Sequence, residues 1–297
     1  MKFIKAIVYS NVWIALGASV YACNSFLCFQ KPINNWFILL IFFATFFAYN
    51  FERIVKINQF NFQLSERQEW IKQHQKLIRI LTLLAFVVSS VLVMFFFTFD
   101  DAMFLLPALF IVLLYATFFV NQKFGLRDVP GLKIFLIAAV WGYVLGVFPL
   151  VDKLSQKELI YLFADKFSFI FAITIPFDIR DVFKDSVEKK TIPQLLGVNL
   201  SKAIAMLFLA ISFFIHYHFF EVNQPILFLY FLIVALLILF ANPNRKELYF
   251  SGLIDGVLVL CLVTFIQPNA TSKLSLNAAI ALSNCSLVCA SDIKPTS

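Results

Sequence analysis

The strongest constraint on this chain is a series of nine long apolar segments separated by polar loops. About 20 apolar residues are needed to cross the hydrocarbon core of a bilayer. The segments lie at 4–28, 33–51, 77–98, 103–121, 134–151, 158–177, 203–220, 224–241 and 249–267. Their apolar runs are continuous and do not alternate, which favours helices over strands, and lipid offers no partner for unpaired backbone groups. The sequence therefore predicts an all-α polytopic membrane protein with about nine transmembrane helices.

Composition excludes a water-soluble domain. Apolar residues make up 61% of the chain and charged residues 14%, whereas a soluble domain carries roughly 25% charged residues. The net charge is +7, but the basic residues recur at the ends of the apolar segments and do not form one block. This distribution is typical of membrane topology, so we expect membrane lipid and no nucleic acid as a partner.

The loops differ in charge between the two sides of the predicted membrane. The N-terminus and alternate loops carry about 17 Lys and Arg residues, and the opposite loops carry only Lys31, Lys153 and Lys157. Because basic loops stay in the cytoplasm, the N-terminus is predicted to be cytoplasmic and the protein integral to the cytoplasmic (inner) membrane. After Phe265 no aromatic residue occurs. We therefore expect one transmembrane domain at 1–267 and an atypical C-terminal tail at 268–297.

Three aspartates after the sixth segment are the strongest candidates for chemistry. Asp178, Asp181 and Asp185 follow the spacing i, i+3, i+7, which places them on one stripe if this segment is helical. Such carboxylates repel one another unless a cation lies among them, and Mg²⁺ typically bridges one or two carboxylates to a phosphate. The alternative is an ordinary solvated loop with acidic residues.

This region resembles a motif of the UbiA superfamily of membrane prenyltransferases. The run Asp178-Ile-Arg-Asp181-Val-Phe-Lys-Asp185, followed by Lys190-Thr191-Ile-Pro-Gln-Leu-Leu-Gly197, is similar to the second aspartate-rich motif of that family. Trp141-Gly142 in the fifth segment and Tyr249-Phe-Ser-Gly252-Leu-Ile-Asp255-Gly256 in the ninth agree in order, so the resemblance extends over about residues 5 to 265. It implies a UbiA-like helical bundle and Mg²⁺-dependent transfer of an isoprenoid group. The donor would be a prenyl diphosphate, the acceptor a small lipophilic molecule, aromatic or a quinone precursor, and the catalytic residues Asp178, Asp181 and Asp185.

The first aspartate-rich motif of the family, N-D-x-x-D-x-x-x-D, is eroded in this chain. The matching stretch reads Ala48-Tyr-Asn-Phe-Glu52-Arg53-Ile-Val-Lys56 and retains one carboxylate. The resemblance therefore implies a metal site formed by Glu52, Asp178, Asp181 and Asp185. The candidates for binding the diphosphate are five basic residues, Arg53, Lys56, Lys123, Arg127 and Lys184. The alternative is that these bases serve membrane topology alone.

The eroded motif leaves other functions open. One alternative is a non-catalytic relative that binds a polyprenyl lipid, and another is a secondary transporter. Asp165 and Lys166 lie inside the sixth segment, where ionisable residues are costly. They are expected to pair with each other or with Asp255 of the ninth segment, either as a structural ion pair or as a substrate-facing site. The histidines show no spacing that would bring them to an acid.

Overall fold

The computed structural model describes residues 2–59, 65–117, 131–183 and 191–265, and all regular structure in these ranges is helical. The α-helices are α1 (Lys2–Tyr9), α2 (Val12–Cys28), α3 (Asn35–Gln59), α4 (Glu66–Gln73), α5 (Gln75–Phe96), α6 (Phe99–Thr117), α7 (Leu132–Gly142), α8 (Gln156–Asp181), α9 (Ile192–Leu196), α10 (Val198–Phe219), α11 (Gln224–Leu239) and α12 (Asp255–Leu260). Helix α7 continues as a π-helical turn, Tyr143–Val147, and a second π-helical turn, Tyr249–Ile254, precedes α12.

Several of these helices have the length and apolarity of a membrane span. Five qualify within the described ranges, at Asn35–Val55, Gln75–Phe96, Leu132–Leu150, Gln156–Asp181 and Val198–Phe219. Helices α1 and α2 make a sixth if they are taken as one broken span, and Gln224–Leu239 and Tyr249–Phe265 are shorter apolar helices. The chain is thus an all-α integral membrane protein, whereas the number of nine spans stays a prediction.

The first apolar segment is not one continuous helix. It breaks at Asn11, whose φ of 67° is left-handed, a conformation that Asn tolerates because its short polar side chain can bond locally. The side-chain amide of Asn11 donates to Asn50 Oδ1 at 2.8 Å and thereby joins the break to α3. As a result the chain bends by 65° between α1 and α2.

Helix α8 is the central helix of the bundle. It begins with a capping box in which Ser155 and Glu158 exchange hydrogen bonds. A Cβ added at Gly142 of α7 would lie 3.2 Å from the backbone nitrogen of Phe167 in α8. This glycine therefore permits α7 and α8 to pack closely.

Burial divides the bundle into a packed interior and an apolar outer surface. In the interior, the ring of Phe169 lies 5.4 Å from the ring of Tyr21 and 5.9 Å from that of Tyr230. On the outside, α5 exposes Leu83, Met94 and other large apolar side chains. Such a surface would aggregate in water but is stable in lipid, which agrees with a polytopic membrane protein.

Candidate functional site

The aspartate stripe lies at the last turn of α8, at the end of the bundle that we call the charged end. The helix continues through Asp181, so the predicted loop boundary after residue 177 was wrong. Asp178 is 1% exposed and accepts a hydrogen bond from Lys133 Nζ of α7 at 2.7 Å. The helical spacing predicted for Asp178 and Asp181 is present, and both carboxylates lie at the charged end.

Asp181 is held by its neighbour Arg180. The guanidinium donates from Nε at 2.9 Å and from Nη2 at 2.6 Å to the two carboxylate oxygens. Its Nη1 donates to Glu247 Oε1 at 3.1 Å, and its Cζ lies 5.3 Å from the centre of the Phe177 ring. Because a bidentate guanidinium–carboxylate pair is strong and geometrically specific, Arg180 fixes the orientation of Asp181.

Glu247 connects Arg180 to a second guanidinium, that of Arg67 in α4. Arg67 is 2% exposed. Its guanidinium donates to Ser251 Oγ at 2.7 Å and to the Val8 carbonyl at 3.1 Å. It also contacts Asn11 Oδ1. Its Nη1 lies 3.6 Å from Glu247 Oε1. Arg67 therefore joins α4 to the break between α1 and α2 and to the π-helical turn that contains Ser251.

Burial and charge have opposite effects on the two partners of this pair. Burial alone would raise the pKa of Glu247, but the positive charges of Arg180, Arg67 and Arg53 hold it below its ordinary value. Burial lowers the pKa of Arg67, and the nearby charge of Arg53 adds to the shift, while Glu247 opposes it. The charged end is thus a compact set of coupled acids and bases.

The eroded first motif contributes mainly a base. Arg53 of α3 is close enough to Glu247 and Arg67 to interact with their charges, and its Nε is buried without a hydrogen-bond partner among the described residues. Glu52 is partly buried in the same turn of α3. The side chain of Asn50 accepts from Asn11, which Arg67 also contacts, and donates to the Ser10 carbonyl.

The remaining predicted site residues lie outside the described part of the chain. These are Lys123, Arg127, Lys184 and Asp185, together with the side chain of Lys56 and the tail at 268–297. The structure therefore brings together Arg53, Asp178 and Asp181 at one end. It adds three groups that sequence patterns missed, namely Lys133, Arg67 and Glu247. The first two appeared only as topology-setting bases, because nothing in the sequence links them to residues far along the chain.

The oxygen donors at the charged end suit a Mg²⁺ ion bound jointly by protein and substrate phosphate better than one bound by protein ligands alone. Within the described ranges, no three His, Cys, Asp or Glu side chains are grouped closely enough to hold a metal ion. Asp178 and Asp181 do supply hard oxygen donors three residues apart on one helix, and Mg²⁺ commonly takes one or two carboxylates and completes its shell with water and substrate phosphate. The pair fits such a bridging ion, provided that Lys133 and Arg180 give up part of their contacts.

A second polar group lies inside the bundle, about 24 Å along α8 from Asp181 at 1.5 Å per residue. We call it the interior cluster; it consists of Asn24, Asp165, Lys166, Ser212 and His216. Asp165 Oδ1 accepts from Ser212 at 2.5 Å and lies 2.8 Å from His216 Nδ1. Lys166 Nζ lies 3.6 Å from Asp165 Oδ2, contacts Asn24 Oδ1, and lies 4.0 Å from the centre of the Tyr21 ring.

The interior cluster shows how the two ionisable residues of the sixth segment are paired. Asp165 and Lys166 pair with each other, while Asp255 interacts with the charges of Arg67, Arg180 and Arg53 at the charged end. The expectation that no histidine approaches an acid was wrong, since His216 contacts Asp165. The spacing of the sequence did not reveal this contact because 51 residues separate the two side chains. Both partners are fully buried, and their contacts with Asn24, Ser212 and His216 connect α8 to α2 and α10.

Together, the fold and the charged end define an integral membrane protein built as a helical bundle with coupled acids and bases at one end. A solved structure of a digeranylgeranylglyceryl phosphate synthase is similar to it, with a TM-score of 0.53 and 14% identity over 89% of this chain and 98% of that chain. The apo structure of a UbiA homolog from Aeropyrum pernix K1 is similar at the same TM-score and identity, over 88% of this chain and 98% of that chain. No protein-family model and no curated protein sequence matches the chain. The predicted UbiA-like fold is therefore confirmed, and at this identity the likeness shows the fold alone.

Proposed function

We propose that the charged end binds the diphosphate of a prenyl diphosphate and that the protein transfers the isoprenoid group to a small lipophilic acceptor, aromatic or a quinone precursor. The observation that carries the proposal is the placement of Asp178 and Asp181 on one turn of α8, close to Lys133 and Arg180. The fold, which is shared with a digeranylgeranylglyceryl phosphate synthase, supports it. Asp185, Lys56, Lys123, Arg127 and Lys184 complete the proposed site from outside the described residues.

The electrostatics suit a departing diphosphate. Breaking an allylic C–O bond leaves negative charge on the diphosphate and positive charge on the isoprenoid, so fixed cations at the diphosphate lower the barrier. Arg53 Nε is a buried donor at this end of the bundle, and Mg²⁺ on Asp178 and Asp181 would supply further Lewis-acid charge. Aromatic side chains in the interior would shelter the allylic cation.

We also propose that the charged end faces the cytoplasm. Loops rich in Lys and Arg stay on the cytoplasmic side of a membrane, and the loops at this end carry an excess of these residues, which supports that orientation. A water-soluble diphosphate group would then enter from the cytoplasm while its apolar chain stays within the bilayer.

The direct test is a labelled prenyl-diphosphate assay on purified protein, with and without Mg²⁺, across a panel of aromatic and quinone-precursor acceptors. Metal-dependent release of diphosphate is the expected result. Asp181→Asn removes one charge from the metal-facing pair and is expected to abolish Mg²⁺-dependent binding. Full retention of binding by this variant would refute the site assignment.

A second candidate is a non-catalytic relative that binds a polyprenyl lipid. It is favoured by the contacts of the two aspartates, each of which already accepts hydrogen bonds from a base of this chain, and by the single carboxylate of the first motif. Tight, metal-independent binding of an uncharged polyprenyl lipid, combined with no turnover while a known prenyltransferase is active alongside, would favour this candidate.

A further inference from the structure

The two partners of the contact between Lys133 and Asp178 differ in solvent exposure. The side chain of Asp178 is 2% exposed, whereas that of Lys133 is 23% exposed, and their charged atoms lie 2.7 Å apart. Lys133 is the second residue of α7 and follows Gly131, whose φ of 73° is left-handed, so the chain turns into the helix at this point. Lys133 therefore covers the buried carboxylate of Asp178 on the side of that carboxylate that is nearer to solvent.

A lysine ammonium in this position resembles a metal ion in what it can bind. It is a compact positive charge with three N–H donors, and lysine binds phosphate as a point charge. A divalent ion that bridges a carboxylate to a phosphate lies next to the carboxylate in the same way. The two cations therefore compete for one location beside Asp178.

Asp181 differs from Asp178 in this respect. Its base, Arg180, is adjacent in sequence and is also held by Glu247, so this guanidinium belongs to the internal network of the charged end. Lys133 comes from another helix, 45 residues away. Its contact with Asp178 links a partly exposed cation from a separate helix to the aspartate stripe.

We propose that Lys133 takes the cation position beside Asp178, so that the site contacts a diphosphate partly through this ammonium where a divalent ion would otherwise lie. The proposal rests on the proposed function, and it accounts for a site whose first aspartate-rich motif retains only Glu52. Lys133 thereby sets the metal requirement of the site. It lowers the affinity of the free site for divalent ions and provides binding of a diphosphate without them.

The first test measures metal binding in the absence of any diphosphate, by Mn²⁺ titration followed by electron paramagnetic resonance of the free ion. Lys133→Gln removes the charge but keeps a donor for Asp178. It is expected to tighten Mn²⁺ binding on the order of tenfold, because a unit charge within about 4 Å repels a divalent ion even near the surface. Lys133→Arg keeps the charge and should bind Mn²⁺ like the unmodified protein.

Two further variants make this measurement specific. Lys202→Gln is the matched control, since Lys202 Nζ donates to the Leu239 carbonyl and contacts no acid in the described part of the chain. It should leave Mn²⁺ affinity unchanged. Adding Asp178→Asn to Lys133→Gln should remove the gain. Equal Mn²⁺ affinity of the unmodified protein and Lys133→Gln would overturn the proposal.

The second test uses inorganic pyrophosphate as the probe, in EDTA and in Mg²⁺. The unmodified protein and Lys133→Arg should bind it in EDTA, and Lys133→Gln should bind it roughly tenfold more weakly there, with part of the loss restored by Mg²⁺. Binding by the unmodified protein only in Mg²⁺ would overturn the role of Lys133 and leave the proposed function standing. No binding under either condition would contradict the proposed function, while the Mn²⁺ titration would still decide whether Lys133 competes with a metal.

Discussion

Glu247 joins two guanidinium groups, and replacing it with glutamine should weaken the charged end. Its side chain is 11% exposed, and it lies 3.1 Å from Arg180 and 3.6 Å from Arg67, whose side chains are 15% and 3% exposed. Glu247→Gln preserves the shape of the side chain and an acceptor oxygen but leaves both cations without this counter-charge.

The expected loss follows from burial. Removing one partner of a fully buried ion pair costs about 3–5 kcal/mol. Because the retained amide oxygen keeps part of the hydrogen bonding and Asp181 still neutralises Arg180, we expect a smaller loss, of about 2–3 kcal/mol, for Glu247→Gln.

The assay is equilibrium unfolding of the purified protein in mixed micelles with increasing sodium dodecyl sulfate, followed by circular dichroism. Glu66→Gln is the matched control, since Glu66 pairs with Lys5 in a contact whose side chains are 54% and 31% exposed. An exposed pair of this kind contributes at most about 1 kcal/mol. Equal losses for the two variants would show that burial does not determine the strength of these pairs and would refute the reasoning.

Two further predictions concern pH and the interior cluster. The pKa of Glu247 is lowered from an ordinary value of 4.5. Its contribution to stability is therefore complete above that value and is lost as the pH falls through the lowered pKa. Across this acid range, the unfolding midpoint should decrease less steeply with falling pH in Glu247→Gln than in the unmodified protein. In the interior, Lys166→Met leaves the buried Asp165 carboxylate without its ammonium and should lower the free energy of unfolding by about 3–5 kcal/mol. Adding Asp165→Asn should restore part of this loss in the same unfolding assay, and a double variant as unstable as the sum of both single variants would contradict the pairing.

The membrane character and the helices follow directly from sequence patterns. Long apolar runs require internally bonded backbone in lipid, so their positions predict helices without any knowledge of packing. The stripe formed by Asp178 and Asp181 is likewise a local property, because residues three apart lie on one face wherever the chain is helical. What local patterns did not reveal was the continuation of α8 through Asp181, or the break at Asn11, which depends on a contact with Asn50 of another helix.

The sequence by itself determined the membrane environment, the helical character of the apolar segments and the shared face of Asp178 and Asp181, because each depends on residues that are close along the chain. Only the tertiary structure decided which charges meet. Lys133 reaches Asp178 across 45 residues, Arg180 reaches Glu247 across 67, and Asp165 meets His216 across 51. A loop base and a site base look the same in sequence, since both are a lysine or an arginine at the end of an apolar run. The packing of α4, α7 and the last π-helical turn around the end of α8 is what converts some of these bases into parts of the charged end.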